Sequence, residues 1–417
     1  MVEVIRNAWK LADIRRKILF TLAMLVVFRI GVHIPVPGID TQVIADLIAK
    51  GQLLGFFDVI SGGAFKKFSI FAMSITPYIN ASIIMQLLTV VVPYLERLAK
   101  EPDGRKQMAQ YIRYGTVILG FIQAIGISLG LRQAIVRPGL ASTMIIALSL
   151  TAGTAFLMWL GELITEKGVG NGISLIIFAG IVSRVPAGIV TIFEYLKTGT
   201  ASFLVVFLFL VIALLVMAGI IAIQEGQRRI PVQYAKRVVG RKVYGGQSTH
   251  IPLKVNQAGV IPIIFAISLL MFPGTIAAWF PHNKFAMAVT RIFDFNAWWY
   301  QLMYALLIMF FTYFYTAITF NPVDVADNIK KYGGFIPGLR PGRPTAEYIE
   351  KIAGRITFAG AVFLAGIAVL PSLLISLTAL PVYYGGTSLL IVVGVALDTM
   401  KQLEANLLMR HYQGFLK

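Results

Sequence analysis

Cysteine is missing altogether from the 417 residues, so neither disulfides nor thiolate chemistry contributes to stability or function. Charge is scarce as well. Only 13% of residues are Asp, Glu, Lys or Arg, against about 25% in an ordinary soluble domain, while 57% are hydrophobic. Water cannot be the main solvent of such a chain, and the composition predicts a polytopic membrane protein. Acids are the rarer sign, 19 against 37 bases, and all fall in loops or near the ends of apolar stretches. Ion-coupled carriers usually hold an ionisable group at the bilayer midplane, so this lack weakens a small-solute transporter as the rival reading. The four histidines, His33, His250, His282 and His411, also lie at stretch ends or in loops, which argues against a membrane enzyme of the intramembrane-protease kind. A Gly-rich phosphate loop of Walker type is absent too, so the chain is not expected to hydrolyse nucleotide.

What is present is a succession of apolar runs. Ten reach the roughly 17–25 residues that a helix needs to cross the hydrocarbon core: 18–34, 70–91, 112–131, 141–161, 172–190, 202–223, 257–278, 298–319, 354–376 and 383–400. With the N-terminus assigned to the cytoplasm, 27 of the Lys and Arg residues fall inside and 9 outside, and Arg29 lies within the first run. That bias predicts both termini inside. The basic N-terminal stretch leads straight into the first run, as in a retained span rather than a cleaved leader.

The runs divide into two halves of five, 1–199 and 200–417, which an odd span count would make inverted relative to each other. Two basic loops, 224–256 and 320–355, are far longer than the 2–8 residues that usually join helices. IPVQY and RKVY in the first predict a protruding hairpin. TAEYIEKI in the second predicts the start of a helix leading into the ninth span. Asn80, Ser82, Gln123, Thr151, Thr154 and Asn256 are uncharged polar residues within or beside the runs, and their plainest role is interhelical hydrogen bonding. One stretch resists any plain role. SGGAFKKFSIFAMSITPYINASIIMQLL, residues 61–88, carries a double glycine, two lysines and Thr76-Pro77 into an apolar run, which predicts a broken segment lining something other than lipid.

Seven stretches together resemble the SecY family, the channel subunits of bacterial protein-conducting translocons. They are VFRIGVHIPVPGID (27–40), the 61–88 stretch just quoted, MWLGELITEKGVGNGISLIIFAGIV (158–182), GQRRIPVQYAKR (226–237), QSTHIPLKVNQAGVIP (247–262), FNPVDVADNIKKYGGFIPGLRPG (320–342) and YYGGTSLLIVVGVALD (383–398). They occur in family order along the whole chain. The resemblance implies an all-α membrane protein of ten transmembrane helices in two inverted, pseudo-symmetric halves, clasping an hourglass pore that also opens sideways to lipid. It implies a short re-entrant plug helix near 56–68, with Phe57, Ile60, Ser61, Gly62, Gly63 and Phe65. Its pore ring carries over onto Ile75, Ile79, Ile173, Ile177, Ile264 and Ile391, and Pro77 would distort the helix between two of them. Ser82, Gln123 and Asn256 fall at the lateral gate, and Arg29 is expected to face the bundle. Arg340, Arg241 and Lys242 fall in loops that would meet the SecA motor and the ribosome. SecE and SecG are the implied subunits, the bacterial plasma membrane the implied location, and no cofactor, metal or catalytic residue is expected. The outer loop 131–141 and the C-terminal tail are short for the family; neither touches a motif.

Overall fold

The structure, a computed structural model, describes residues 6, 8–44, 58, 61–101, 103–199, 202–234, 237–239, 242–244, 248–278, 284, 288–289, 292–293, 297–378 and 386–414. The described chain is mostly helical. In order, the N-terminal half supplies α1 (Ala12–Gly31), α2 (Thr76–Val91), α3 (Pro93–Lys100), α4 (Gly104–Gly130), α5 (Leu140–Lys167), α6 (Gly172–Val182) and α7 (Val185–Lys197). The second half supplies α8 (Phe203–Glu225), α9 (Ile261–Ala278), α10 (Trp298–Thr319), α11 (Pro322–Lys331), α12 (Arg343–Thr378) and α13 (Gly386–Gly414).

Local chemistry sets several helix starts. Pro77, Pro93, Pro186 and Pro322 all sit in first turns, where a missing N–H costs nothing. Asn171 caps α6 by accepting from the Ser174 amide at 3.1 Å, and Asn321 caps α11 by accepting from the Val323 amide at 3.0 Å. Pro93 also forces Val92 into extended backbone, so α2 and α3 meet at 105° instead of continuing as one rod.

Among the described residues, six helical segments are long and apolar enough to cross a membrane, or seven if the bent α2–α3 pair counts as one. The protein is therefore multi-pass. Helices α1, α9 and α13 occupy the first, seventh and tenth expected runs. The first carries Arg15, Arg16, Lys17 and Arg29, and the last continues past Asp398, Lys401 and Glu404, so charge keeps both from standing out by composition.

The two long loops form one unit. Strands β1 (Gln227–Tyr234), β2 (Arg237–Val239), β3 (Lys242–Tyr244) and β4 (Ser248–Lys254) belong to the first loop, and β5 (Gly334–Phe335) to the second. β1 pairs antiparallel with β4, Ile230 opposite Ile251, and on its other edge with β5, so the sheet order is β4-β1-β5. Ile230, Val232 and Leu253 pack with Ile329 of α11, with Ile336, and with Ile349 and Ile352 of α12 into a small core of their own. The helical expectation thus holds for the bundle, while alternation of apolar and polar residues turns the loops into a sheet.

Three apolar clusters fill the bundle among the described residues. One gathers α1, α2, α5, α6 and α13, a second gathers α8, α9, α10, α12 and α13, and a third joins α4 and α5 to the turns around Phe65 and Phe68. Ala8, Ile14, Val169 and Leu403 cluster separately, which brings the N-terminal segment, the α5–α6 turn and the far part of α13 to one face.

Candidate functional site

The site is built around the broken stretch. Residues 61–75 are turns, and α2 begins only at Thr76. The expectation of a helix is therefore corrected over 61–68, and that of a span beginning at 70 is moved to 76. Backbone conformation is the reason. Gly62 and Gly63 have φ of 67° and 91°, and Phe68 and Ser74 are also left-handed, at 40° and 52°. A right-handed helix cannot run through such residues, and holding the two non-glycines there costs about 1–3 kcal/mol each. Pro77 lies in the first turn of α2 and does not kink a helix between Ile75 and Ile79.

Close backbone approaches hold these turns in the bundle. An added Cβ on Gly153 of α5 would lie 1.9 Å from the Ile70 carbonyl oxygen, and one on Gly31 of α1 would strike the Phe71 ring at 2.0 Å. Phe71 stacks between Phe28 and Phe156, with ring centroids 6.2 and 5.9 Å away. The Val36 amide donates to the Phe68 carbonyl at 2.9 Å, and the Ile70 amide to that of Ile34 at 3.0 Å. Part of the polar backbone of these turns is thus paired with other backbone, as a segment packed among apolar helices requires. Lys66 and Lys67 are exposed.

Against this segment lie the isoleucines. Ile75, Ile177 and Ile391 are buried in one core cluster with Phe71 and Ala64, and Ile79 and Ile173 pack on it half-buried. They come from α2 and the residue just before it, from α6 and from α13, hence from both halves of the chain. Ile264 on α9 is half-buried and stands apart, its chain neighbours Ile263 and Phe265 facing the second core. Of the expected plug residues, Ser61 and Gly62 are buried, Gly63 is half-buried, and Phe65 is buried in a third cluster with Phe68. Phe57 and Ile60 lie outside the described residues.

Helices α2 and α4 both meet α9, so a seam between the halves runs there. Ser82 and Gln123 are half-buried on α2 and α4. Asn256 is buried just before α9, its side-chain amide donating to the Gly259 carbonyl at 3.1 Å, while its Oδ1 has no partner among the described residues. Thr151 corrects the expectation of interhelical bonds: its hydroxyl donates to the Ala147 carbonyl of its own helix at 2.7 Å. A short hydroxyl reaches the preceding turn more easily than a neighbouring helix.

Arg340 is exposed on the turn between β5 and α12. Gly338 and Gly342 bracket it at φ of 82° and 105°, the Leu339 amide donates to the Ile336 carbonyl at 3.0 Å, and the buried Thr345 hydroxyl donates to the Arg340 carbonyl at 2.8 Å. Lys242 opens β3, opposite Val239. Arg241 lies outside the described residues.

Reading the sequence missed two residues here. Asp58 and Arg184 form a salt bridge beside the turns. The place of Arg184 within the apolar run 172–190 was the available signal, because a charge at membrane depth is expensive unless paired. Arg29 does face the bundle, bonded to Gly62 and Ser183.

With the turn segment, the isoleucine cluster and the loop unit in place, comparison with known proteins becomes informative. The family model described as SecY matches residues 69–400. The chain belongs to the SecY family. It is 52% identical over 431 residues to the protein translocase subunit SecY of Halalkalibacterium halodurans, covering all of both chains. It is 47% identical over 419 residues to that of Escherichia coli, covering 98% of this chain and 95% of the relative. Its fold is similar to a solved structure described as a protein conducting channel, with a TM-score of 0.67 at 18% identity, covering 94% of this chain and 92% of that one. A second, Sec61 in the canine ribosome-channel complex, gives 0.59 at 15% identity over 94% and 92%. As a SecY-family member the chain is a protein translocase subunit by family and not an enzyme.

Proposed function

We propose that the chain forms the pore of a bacterial plasma-membrane translocon with SecE and SecG, spanning the bilayer ten times with both termini in the cytoplasm. Unfolded secretory polypeptides pass through it, and apolar segments leave sideways between α2 and α4 on one side and α9 and α10 on the other. One observation supports this reading above the others: isoleucines of α2, α6 and α13, with Ile75 just before α2, meet in a single apolar cluster beside a non-helical segment packed within the bundle. An apolar constriction dewets and blocks ions, yet its side chains can yield around a passing chain. Ile264 completes the ring when α9 moves, and the turns at 61–68 act as the plug. The Lys and Arg bias supports the orientation, as does the gathering of the N-terminal segment, the α5–α6 turn and the end of α13 at one face.

Ser82, Gln123 and Asn256 line the seam that opens for a signal sequence. The unpartnered Asn256 Oδ1 supports this assignment, because a buried acceptor left open gains a donor when the seam hydrates. Arg340 on its braced turn, with Arg241 and Lys242, receives SecA or the ribosome. ATP is hydrolysed by SecA. The test is reconstitution with SecE and SecA, followed by an assay of ATP-dependent protection of a secretory precursor. Protection that requires this chain is expected. Solute flux driven by an ion gradient, with no precursor protected, would overturn the proposal in favour of a transporter.

A further inference from the structure

Asp58 is nearly inaccessible, with 3% of its side chain exposed, and its two carboxylate oxygens do different things. Oδ1 accepts from the Lys66 amide at 2.7 Å, and Oδ2 faces the Arg184 guanidinium. Its backbone carbonyl accepts from the Gly63 amide at 2.9 Å and the Ser61 hydroxyl at 3.2 Å, and that hydroxyl accepts from the Phe65 amide at 3.1 Å. One aspartate thus organises the turn 61–66 and also ties it to another element.

That element is the break between α6 and α7, where Ser183 and Arg184 interrupt an apolar stretch. Arg29, near the end of α1, reaches the same place: one guanidinium nitrogen donates to the Gly62 carbonyl at 2.9 Å and to the Ser183 hydroxyl at 3.0 Å. The Ser183 hydroxyl in turn donates to the Gly180 carbonyl at 2.7 Å. Gly62 itself lies so close to α6 that an added Cβ would come within 2.7 Å of the Gly180 Cα. Arg29 from α1, Arg184 from the α6–α7 break and a close glycine contact with α6 therefore converge on the turn and its aspartate.

We propose that Asp58, Arg184 and Arg29 form a polar latch that positions the plug against the N-terminal half and sets how readily the resting channel opens. The idea rests on the segment near 56–68 acting as the plug. Apolar packing alone would let the turn slide, since one greasy contact replaces another at little cost. An ion pair whose carboxylate is buried does not slide. Separating Asp58 from Arg184 leaves a charge that must either rehydrate or find a new partner, so release is discrete and has a threshold. Arg29 bonds to neutral acceptors only in these contacts, and its part is to hold the Gly62 backbone in register.

Reconstitution with SecE in planar bilayers tests the latch, with opening frequency at rest as the readout. Asp58→Asn is the informative variant, because the amide oxygen can still accept from the Lys66 amide while the charge opposite Arg184 is gone. Openings roughly tenfold more frequent are expected, the factor that 1.4 kcal/mol makes in an equilibrium, and a similar rise is expected for Arg184→Gln. The double variant should be little worse than either single one, because both remove the same interaction. Effects that simply multiply would overturn the ion pair as the device. Deletion of 58–66 serves as the reference. If the deletion opens the channel and Asp58→Asn stays as quiet as wild type, the latch is wrong and the plug stands. If the deletion is also quiet, the plug reading fails and the latch with it.

Discussion

Helices α5 and α8 invert the rule that apolar means buried. The most apolar stretch of α8 is only 11% buried, whereas that of α5, the less apolar of the two, is 56% buried. Only Val206 and Ile220 of α8 are buried, and Phe203, Leu204, Leu214 and Leu215 are each more than 60% exposed. Helix α5 buries Thr151, Gly153, Thr154 and Gly161 along with its leucines and isoleucines. In a bilayer the tails are as apolar as leucine, so apolarity marks contact with lipid. Close packing is marked by small residues that let backbones approach. The turn segment could enter the bundle only where Gly153 and Gly31 leave it room.

Substitutions can break or sharpen that contrast. The largest effect is expected from Gly153→Leu on α5, whose side chain would be driven into the Ile70 carbonyl. Overpacking costs about 1–3 kcal/mol where a core can adjust, and backbone cannot. Loss of a stable complex with SecE, seen as failure to co-purify, is the expected result; a normal yield would mean that α5 does not clamp the turns. Next comes the pair Ile79→Gly and Ile173→Gly, which trims half-buried side chains at the cluster without removing its buried centre. Assembly should survive while resting ion conductance in planar bilayers rises severalfold, and a seal as tight as wild type would remove these residues from the ring.

Arg340→Glu should leave stability untouched, since the side chain is exposed, yet cut SecA-driven precursor transport by about tenfold or more at matched protein levels. Arg340→Lys should fall between, because it keeps the charge but loses the planar fork that grips a carboxylate. Near-normal transport by the glutamate variant would show that this turn does not meet the motor. The smallest effect is expected from Leu214→Ala on α8, 62% exposed, which should shift thermal stability in detergent by less than about 0.5 kcal/mol. A loss of several kcal/mol there would mean that α8 is covered by a partner and not by lipid.

How far the site was legible depends on the kind of signal each residue leaves. Gly62-Gly63 announced a bend, and the bend is there. Thr76-Pro77 was legible as an interruption but read as a kink, because sequence alone does not tell a proline that starts a helix from one that bends it. Asp58 and Arg184 stand well over a hundred positions apart, and no local pattern links two charges at that distance. The isoleucines were unreadable by periodicity, since an i, i+4 pair faces one direction without saying what lies there. Naming them needed the family resemblance, and the clustering of Ile75, Ile177 and Ile391 appears only when α2, α6 and α13 are packed together.

Composition, the apolar runs and the basic loops were enough for a multi-pass membrane protein, and the motifs in order were enough for its family. These are local or additive properties, carried by each segment whatever its neighbours do. Tertiary structure decided the rest. It joined the two long loops through β1 and β5, set the 61–75 turns between Gly31 and Gly153, and brought Arg29 and Arg184 to Gly62 and Asp58. Each of those depends on which backbones can approach within a few ångströms and which charges are thereby cut off from water, and that is a property of the packed bundle and not of any one stretch of chain.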